Sequence, residues 1–253
     1  MASKTKNRFS LQFIFRAFNR FNFRRRQECS TILNWLDARS GEVILDVGCG
    51  DGYYDSLVAR AGARVLGIDI HPPPLSFAQK YYSDESTEFV LMNAEEMNLP
   101  DRTFDKAMSL CVGEHFGRDE TVLQNICRVL KPGGRFVFSA DSLSNPGITA
   151  AERARHRRRY AVNTFYNTEN IGEKLARAGF AVEKTRYILH TPFALALVRI
   201  SWKLDDLPKA LAIIRILGYL GLWAMLQMDA PFLKASAAST AGGLTLLVQA
   251  RKT

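Results

Sequence analysis

The chain has 253 residues, of which 47% are hydrophobic and 23% charged. This length suits one large α/β domain with additions, and the hydrophobic content excludes a disordered or fibrous protein. The formal net charge of +9 would favour a nucleic-acid partner if it were spread over the chain, but residues 1–26 hold 8 of the 34 lysines and arginines and no acid. The rest of the chain has 26 basic and 25 acidic residues. We therefore predict a nearly neutral body with a basic arm and do not expect nucleic acid as the partner.

Aromatic residues alternate with arginines in this arm: Phe9, Phe13, Phe15, Phe18, Phe21 and Phe23. That combination is typical of a helix lying in an anionic membrane surface, although single-stranded nucleic acid binds similar segments. The apolar run at 11–15 is too short for a secretory signal, whereas an arginine-rich, acid-free start also fits a mitochondrial transit peptide. We expect a cytoplasmic protein, peripheral on the membrane, with the mitochondrial matrix side as the alternative.

The four cysteines show no paired CxxC spacing: Cys29, Cys49, Cys111 and Cys127. Their scatter favours a reduced intracellular protein over a disulfide framework or a zinc site. The sequence therefore implies no metal.

Short β-rich runs alternate with helical patterns from residue 42 onward, which is typical of a parallel sheet covered by helices. We predict strands at 43–47, 64–69, 88–92, 104–110, 134–140, 181–188 and 244–250. Helical spacing predicts one helix from 122 to 130 and another from 168 to 178.

A glycine-rich turn follows the first predicted strand, in the run Asp46-Val-Gly48-Cys49-Gly50-Asp51-Gly52, and a helix is expected to begin near Tyr53. Glycines at a strand-to-helix turn let a ligand approach the backbone and the helix N-terminus. The spacing is GxGxG and lacks the third glycine of the dinucleotide motif GxGxxG. Asp69 ends the second strand, where a carboxylate can accept both hydroxyl protons of a ribose.

Four motifs in this order resemble those of class I S-adenosylmethionine-dependent methyltransferases, nearest to the ubiquinone and menaquinone methyltransferases. They are ILDVGCGDG at 44–52, GIDI at 67–70, NAEEMNLP at 93–100 with Phe104-Asp105, and RVLKPGG at 128–134. The resemblance covers about residues 40–140. It implies a Rossmann-like, doubly wound seven-stranded α/β sheet with an antiparallel last strand and S-adenosyl-L-methionine as cofactor.

The resemblance also implies roles for single residues. Asp46, Gly48 and Gly50 would surround the methionine part of the cofactor, and Asp69 would bind its ribose. Ile70 would flank the adenine, and Asn93 with Ala94 would meet its amino edge, although relatives usually have Asp at 93. The predicted cofactor-binding set is completed by Cys49, Glu95 and Leu110. The alternatives are a tight turn without a ligand, a strand-end cap at Asp69 and a turn residue at Asn93.

A Glu-His pair follows the fourth strand at Glu114 and His115, where the resemblance places the methyl-transfer site. A histidine suits proton transfer from a hydroxyl near neutral pH, so we predict His115 as the catalytic base. A substrate contact without catalysis and a purely structural histidine remain the other interpretations.

A basic cluster lies past the fifth strand, in the region where the resemblance places a substrate cover, and comprises Arg153, Arg155, His156, Arg157, Arg158 and Arg159. Such a run is more often a solvated helix face, which we favour over contact with a phosphate or carboxylate substrate.

Residues 210–228 form a very apolar stretch, broken only by Arg215 and Gln227. A single membrane crossing is impossible if the strands at 181–188 and 244–250 are neighbours, and no second span is long enough. Asp205, Asp206 and Pro208 indicate a break and a new helix start. We therefore predict an apolar hairpin, which lies in a membrane surface or forms a homodimer contact.

These observations predict a basic arm and first helix at 1–40 and a methyltransferase domain at 41–253, with a helical cover at 141–166 and an apolar helical insertion at 190–242. The expected function is methyl transfer to a lipophilic small molecule, such as an isoprenoid quinone precursor or a lipid, at an anionic membrane surface. The alternatives are a soluble natural-product or glycan methyltransferase that dimerises through the hairpin, and a non-catalytic subunit that binds S-adenosylmethionine.

Overall fold

The computed structural model of the protein describes residues 22–208, 211–228 and 242–253. Most of the predicted membrane-binding arm, residues 1–21, lies outside the described residues.

Seven strands form one sheet in the order β3-β2-β1-β4-β5-β7-β6. Strands β1 to β5 are parallel, and β7 runs antiparallel to both β5 and β6. The predicted doubly wound sheet with an antiparallel last strand is therefore confirmed. The strands are β1 (Val43–Val47), β2 (Arg64–Asp69), β3 (Thr87–Leu91), β4 (Phe104–Leu110), β5 (Leu130–Asp141), β6 (Phe180–Ile188) and β7 (Thr245–Lys252).

Helices cover both faces of this sheet, which explains why the central strands are almost continuously apolar. They are α1 (Phe23–Leu36), α2 (Tyr53–Ala59), α3 (Pro72–Tyr81), α4 (Asp119–Val129), α5 (Ala150–Tyr160), α6 (Thr168–Arg177), α7 (Pro192–Asp205) and α8 (Ala212–Met228). Single 3₁₀ turns occupy Ala94–Glu96 and Gly113–His115.

Three hydrophobic cores place most of these helices. The first joins the sheet to α1, α2, α7 and α8, the second joins it to α4 and α6, and the third packs α3 against Phe89 of β3. Helix α1 belongs to the first core through Cys29, Ile32 and Leu36, which are at most 4% exposed. The end of the basic arm is therefore anchored on the sheet, with Arg24 and Arg25 on the first turn of a packed helix.

The described residues of the insertion between β6 and β7 form two helices that pack on each other, α7 and α8. Helix α7 ends at Asp205, where the sequence predicted the break. Within the described residues, no helix has both the length and the hydropathy needed to cross a bilayer. Ile188 pairs with Thr245, so the insertion starts and ends at adjacent positions of the sheet.

The stretch at residues 131–134 differs from the predicted pattern. The fifth strand begins at Leu130, immediately after α4 ends at Val129, so residues 131–134 extend the strand and do not only stop the helix. The basic cluster forms α5, which begins with a capping box in which Thr149 and Glu152 each bond the other's backbone N–H.

Candidate active site

A cavity of about 350 Å³, called here the first cavity, opens at the carboxyl ends of β1, β2 and β3. This is the edge at which open α/β sheets bind their ligands. Its lining includes six of the predicted site residues: Gly48, Asp69, Ile70, Asn93, Ala94 and Glu95. His115 also lines it. Motifs that are separate in the sequence thus meet in one place.

The glycine turn adopts a backbone that only glycine takes without strain. Gly48, Gly50 and Gly52 all have positive φ, from +56° to +83°. A Cβ on Gly48 would lie 2.5 Å from a methyl carbon of Val112, so the turn after β4 packs directly on this glycine. A Cβ on Gly50 would meet no atom within 4 Å, so the backbone there faces open space through which a ligand can approach.

Asp69 links the glycine turn to the end of β2. Its Oδ2 accepts a hydrogen bond from the backbone N–H of Gly50 at 2.8 Å, and its Oδ1 accepts one from the N–H of His71 at 2.8 Å. The carboxylate is therefore oriented by two backbone donors, as a strand-end cap would be. Each oxygen keeps a second lone pair, so the same group can still accept ribose hydroxyl protons.

The far end of the first cavity suits a flat apolar ring with a polar edge. Ile70 is 56% exposed beside it. The Asn93 side-chain oxygen already accepts from the N–H of Glu95 at 3.0 Å and keeps one lone pair for a ligand. The Glu95 carboxylate accepts from the N–H groups of Gly117 and Arg118, so it ties this turn to the segment after β4.

Asp46 lies beneath the glycine turn and does not line the first cavity. It is 2% exposed, and its neighbour Asp55, on α2, is fully buried. Burial raises the pKa of both carboxyls, to about 7 for Asp55, and each interacts with the other. Two buried carboxyl groups in contact avoid charge repulsion when they share one proton, so this pair holds a proton near neutral pH.

Three further residues of the predicted set also lie outside the cavity lining. Cys49 is 7% exposed and packs against Gly67, since a Cβ added to Gly67 would lie 2.8 Å from the Cβ of Cys49. Gly50 contributes its N–H to Asp69. Leu110 is buried in the core at the end of β4.

A second cavity, of about 330 Å³, adjoins the first, and His115 lines both. Its lining is dominated by charged and polar side chains from α1, α5, the turn after β4 and the end of β5. The second cavity therefore offers space for another molecule beside the ligand of the first.

The structure fixes His115 through the loop that follows α5. The His115 Nδ1 lies 3.3 Å from the carbonyl oxygen of Ala161, and Asn163 Nδ2 donates to the backbone carbonyl oxygen of His115 at 2.7 Å. If Nδ1 carries the proton for the Ala161 carbonyl, the ring presents Nε2 as a proton acceptor. This is the arrangement that a general base requires.

Three acidic or thiol groups lie at the inner end of the second cavity: Cys111, Glu114 and Asp141. Their oxygen and sulfur ligand atoms lie within 4.8 Å of one another, close enough to hold a cation. Burial, followed by the charge of Asp141, raises the pKa of the Glu114 carboxyl to about 8. His156 Nε2 lies 2.6 Å from Asp141 Oδ2, and both side chains are largely buried.

The basic cluster divides between structural and cavity positions. His156 and Arg159 line the second cavity, whereas Arg155 pairs with Asp206 and Arg153 donates to the carbonyl of Leu143. The prediction of a solvated helix face therefore does not hold for His156 and Arg159, which line the second cavity.

Sequence reasoning also missed Asp55 and Asp141. For Asp141 a signal was available, because a polar residue at the carboxyl end of a parallel strand belongs to the ligand-binding edge.

Part of the chain is similar in sequence to known proteins. Residues 45–138 match the family described as "Methyltransferase domain". The ubiquinone biosynthesis O-methyltransferase of Pseudomonas fluorescens strain SBW25 is 37% identical over 114 residues, which is 42% of this chain and 49% of the relative. The chain thus matches about half the length of the curated relatives.

Solved structures share the fold across most of the chain. The Haemonchus contortus phosphoethanolamine N-methyltransferase 2, in complex with phosphomonomethylethanolamine and S-adenosylhomocysteine, has a TM-score of 0.68 at 20% identity and covers 98% of this chain and 59% of its own. The cyclase SpnF has a TM-score of 0.65 at 19% identity, with 89% and 80% covered. Because these folds carry different reactions, the likeness establishes architecture alone.

Proposed function

We propose that this chain transfers a methyl group from S-adenosyl-L-methionine to a small-molecule acceptor, because residues 45–138 match the methyltransferase domain family. The observation that carries the proposal is the pair of adjoining cavities with His115 in the lining of both. Methyl transfer needs two bound molecules whose reacting atoms meet, and this arrangement provides one site for each.

The first cavity fits the cofactor. Asp69 offers carboxylate lone pairs to ribose hydroxyls, Ile70 offers an apolar surface to adenine, and Gly48 brings the backbone of the glycine turn to the cavity wall. When bound, S-adenosylmethionine supplies an electrophilic methyl group on a positively charged sulfur. The chain's own residues then have to orient the acceptor and remove its proton.

We assign proton removal to His115. Its Nε2 is left as the accepting nitrogen when Nδ1 donates to the Ala161 carbonyl, and the turn that carries it is fixed by Asn163. The proton of an acceptor hydroxyl would pass to Nε2 as its oxygen takes the methyl group, and the S–CH3 bond would break to leave S-adenosylhomocysteine. Asp141, oriented by His156, is the rival proton acceptor in the same cavity.

We further propose that the acceptor is lipophilic, an isoprenoid quinone precursor or a lipid, and that the protein works at an anionic membrane surface. The support is an exposed apolar group on α8, formed by Ile213, Ile214 and Leu217, on the same helix as the cavity residue Arg215. The cytoplasmic side of a membrane is the proposed location, with the mitochondrial matrix side as the alternative.

A homodimer contact through this apolar group is the competing proposal, and it would suit a soluble natural-product or glycan acceptor. The non-catalytic alternative is disfavoured because the second cavity has room for an acceptor.

The test is incubation of the protein with radiolabelled S-adenosylmethionine and a lipid extract, beside a water-soluble extract of the same cells. Label in an organic-phase product supports the proposal. Label only in the aqueous product overturns the lipophilic acceptor, and no product together with retained S-adenosylhomocysteine binding supports the non-catalytic alternative.

A further inference from the structure

The second cavity contains four guanidinium groups, from Arg24, Arg25, Arg159 and Arg215. They come from α1, α5 and α8, which are distant in the sequence. Four acidic residues, Glu28, Glu114, Asp141 and Asp205, line the same cavity. The partners of Arg24, Arg25 and Arg159 therefore decide which of these three is available to a ligand.

Arg24 and Arg159 are held by the end of α7. Arg24 Nη2 donates to Asp205 Oδ2 at 3.0 Å, and Arg159 donates to the Asp206 carboxylate and, at 2.9 Å, to the carbonyl oxygen of Asp205. Tyr160 also donates to the Asp205 carboxylate, at 3.0 Å. These bonds position the two arginines and largely balance their charge.

Arg25 is bonded much more weakly. Within the described part of the chain, Arg25 donates from Nη1 to both Glu28 oxygens and to the Leu110 carbonyl, over distances of 3.3 to 3.5 Å. Charge-assisted N–H···O bonds are normally about 2.7–2.9 Å. The Glu28 carboxylate is also engaged by the Ser139 hydroxyl. The side chain of Arg25 is 38% exposed in a residue that lines the cavity.

The position of Arg25 relates it to the reaction. Leu110 ends β4, and the turn that begins at Cys111 carries His115. A group bound to Arg25 therefore lies beside the turn that joins the two cavities, so it would hold the rest of the molecule near His115.

We propose that the second cavity recognises an acceptor with an anionic group, a carboxylate or a phosphate, and that Arg25 binds this group. The inference rests on the proposed function, because it names the acceptor class for the same cavity. A guanidinium binds either anion through two parallel N–H···O bonds, which the planar group is shaped to make. With a lipophilic acceptor, the charged head enters the cavity and the apolar part remains outside, beside α8.

The experiment uses small probes of similar size that differ in charge: benzoate, phenyl phosphate and benzyl alcohol. Their dissociation constants are measured by NMR titration of the full chain, with and without saturating S-adenosylhomocysteine. We expect at least one of the two anions to bind 10-fold or more tightly than benzyl alcohol, and the better anion identifies the head group. Arg25→Gln should remove this preference, and Arg25→Lys should restore part of it.

Arg26→Gln is the matched control, because it removes the same charge from the next residue of α1. Arg26 lies over the Trp223 ring, 4.5 Å from its centroid, and does not line the cavity. Its variant should keep the preference for the anions. An equal loss in both variants means a general electrostatic effect and overturns the role of Arg25.

Wild-type protein decides the acceptor class even if Arg25→Gln does not fold. Benzyl alcohol binding as tightly as both anions overturns the proposal. The affinity for S-adenosylhomocysteine, measured in the same samples, tests the first cavity. If S-adenosylhomocysteine does not bind, the proposed function is contradicted. The titrations carried out without S-adenosylhomocysteine still test the anion preference separately.

Discussion

Asp69 orients the glycine turn through two backbone hydrogen bonds, and in our proposal the same carboxylate binds the cofactor ribose. Asp69→Asn weakens both, since an amide nitrogen faces one of the two N–H donors from Gly50 and His71. We expect cofactor affinity to fall by about 2 to 4 kcal/mol, the cost of losing charge-assisted hydrogen bonds. Calorimetric titration with S-adenosylhomocysteine measures this loss.

An analogue without ribose hydroxyls separates the two tasks. If Asp69 binds the ribose, wild type should prefer S-adenosylhomocysteine over its 2′,3′-dideoxy analogue, and Asp69→Asn should lose most of that preference. If the variant binds both ligands more weakly by the same factor, Asp69 is only a cap of the turn.

His115 is the residue whose role depends most on proton transfer. His115→Ala should lower turnover with a hydroxyl acceptor by about 100-fold or more, the usual contribution of a general base, with little change in cofactor affinity. Asp141→Asn is the companion variant, since Asp141 is the rival acceptor of the proton. Steady-state rates identify the base: a drop of only a few-fold in His115→Ala and a large one in Asp141→Asn would transfer the role to Asp141.

The buried carboxyl of Asp55 makes stability depend on pH. Burial raises the pKa of Asp55 to about 7 in the folded protein, against about 3.9 when unfolded. The contribution of this carboxyl to the free energy of unfolding is therefore complete below about pH 4 and is lost as the pH rises to about 7. Asp55→Asn should therefore be the more stable form at pH 8, by up to about 4 kcal/mol. Urea unfolding at pH 4 and pH 8 measures this difference.

The control for this prediction is Glu96→Gln, at a carboxyl that is 74% exposed. It should leave the pH dependence unchanged. If wild type and Asp55→Asn differ in their free energy of unfolding by the same amount at pH 4 and at pH 8, the shared proton between Asp46 and Asp55 is contradicted.

Among the elements, α8 is the one whose exposed surface conflicts with a purely aqueous setting. Ile213 and Leu217 are 73% and 63% exposed, whereas Leu220 and Trp223 are partly buried, and Trp223 packs on the core. Replacing Ile213, Ile214 and Leu217 by serine should abolish salt-resistant binding to liposomes, because that binding follows buried apolar area at roughly 25 cal/mol per Å².

Liposome co-sedimentation at low and high salt checks this prediction, with size-exclusion chromatography of the intact protein alongside. A detergent-free soluble dimer that ignores liposomes at every salt concentration would make the apolar surface of α8 a subunit interface.

The strands were predictable because buried parallel strands are short apolar runs bounded by turn residues. β1, β2 and β4 begin and end at the predicted residues. The packing of α1 was not predictable in the same way, because its basic first turn resembles the end of a solvated arm. Burial of Cys29, Ile32 and Leu36 decides its place, and that pattern becomes informative only when the sheet offers a face to cover.

At the scale of the whole molecule, the basic arm and the second cavity share two residues, Arg24 and Arg25. Deletion of residues 1–26 would remove Arg24 and Arg25 from the second cavity, so it cannot test membrane attraction alone. Deletion of residues 1–21 removes five positive charges and no acid, which lowers the net charge from +9 to +4. Preference for anionic over neutral liposomes should fall, because each charge near anionic lipid contributes about 1 kcal/mol.

The same deletion should leave S-adenosylhomocysteine affinity unchanged, which provides the internal control. Unaltered preference for anionic liposomes would remove the arm from the proposed membrane contact.

The first cavity was largely predictable and the second was not. Residues of the first cavity follow successive strands, so they meet at one edge of the sheet whatever the details of packing. The second cavity depends on contacts between distant segments, such as that of Arg25 with Leu110, 85 residues later. The charge of each residue is visible in the sequence, but its partner is decided only by how α1, α5 and α8 pack.

The pairing of Ile188 with Thr245 has an evolutionary consequence. Because the intervening segment leaves and rejoins the sheet at the same point, mutations that lengthen, shorten or replace it need not alter strand order or the glycine turn. Under the proposed function, selection can therefore alter acceptor preference through this segment while the glycine turn is retained. Relatives of this chain should diverge fastest between β6 and β7, and exchanging that segment between relatives should transfer acceptor preference.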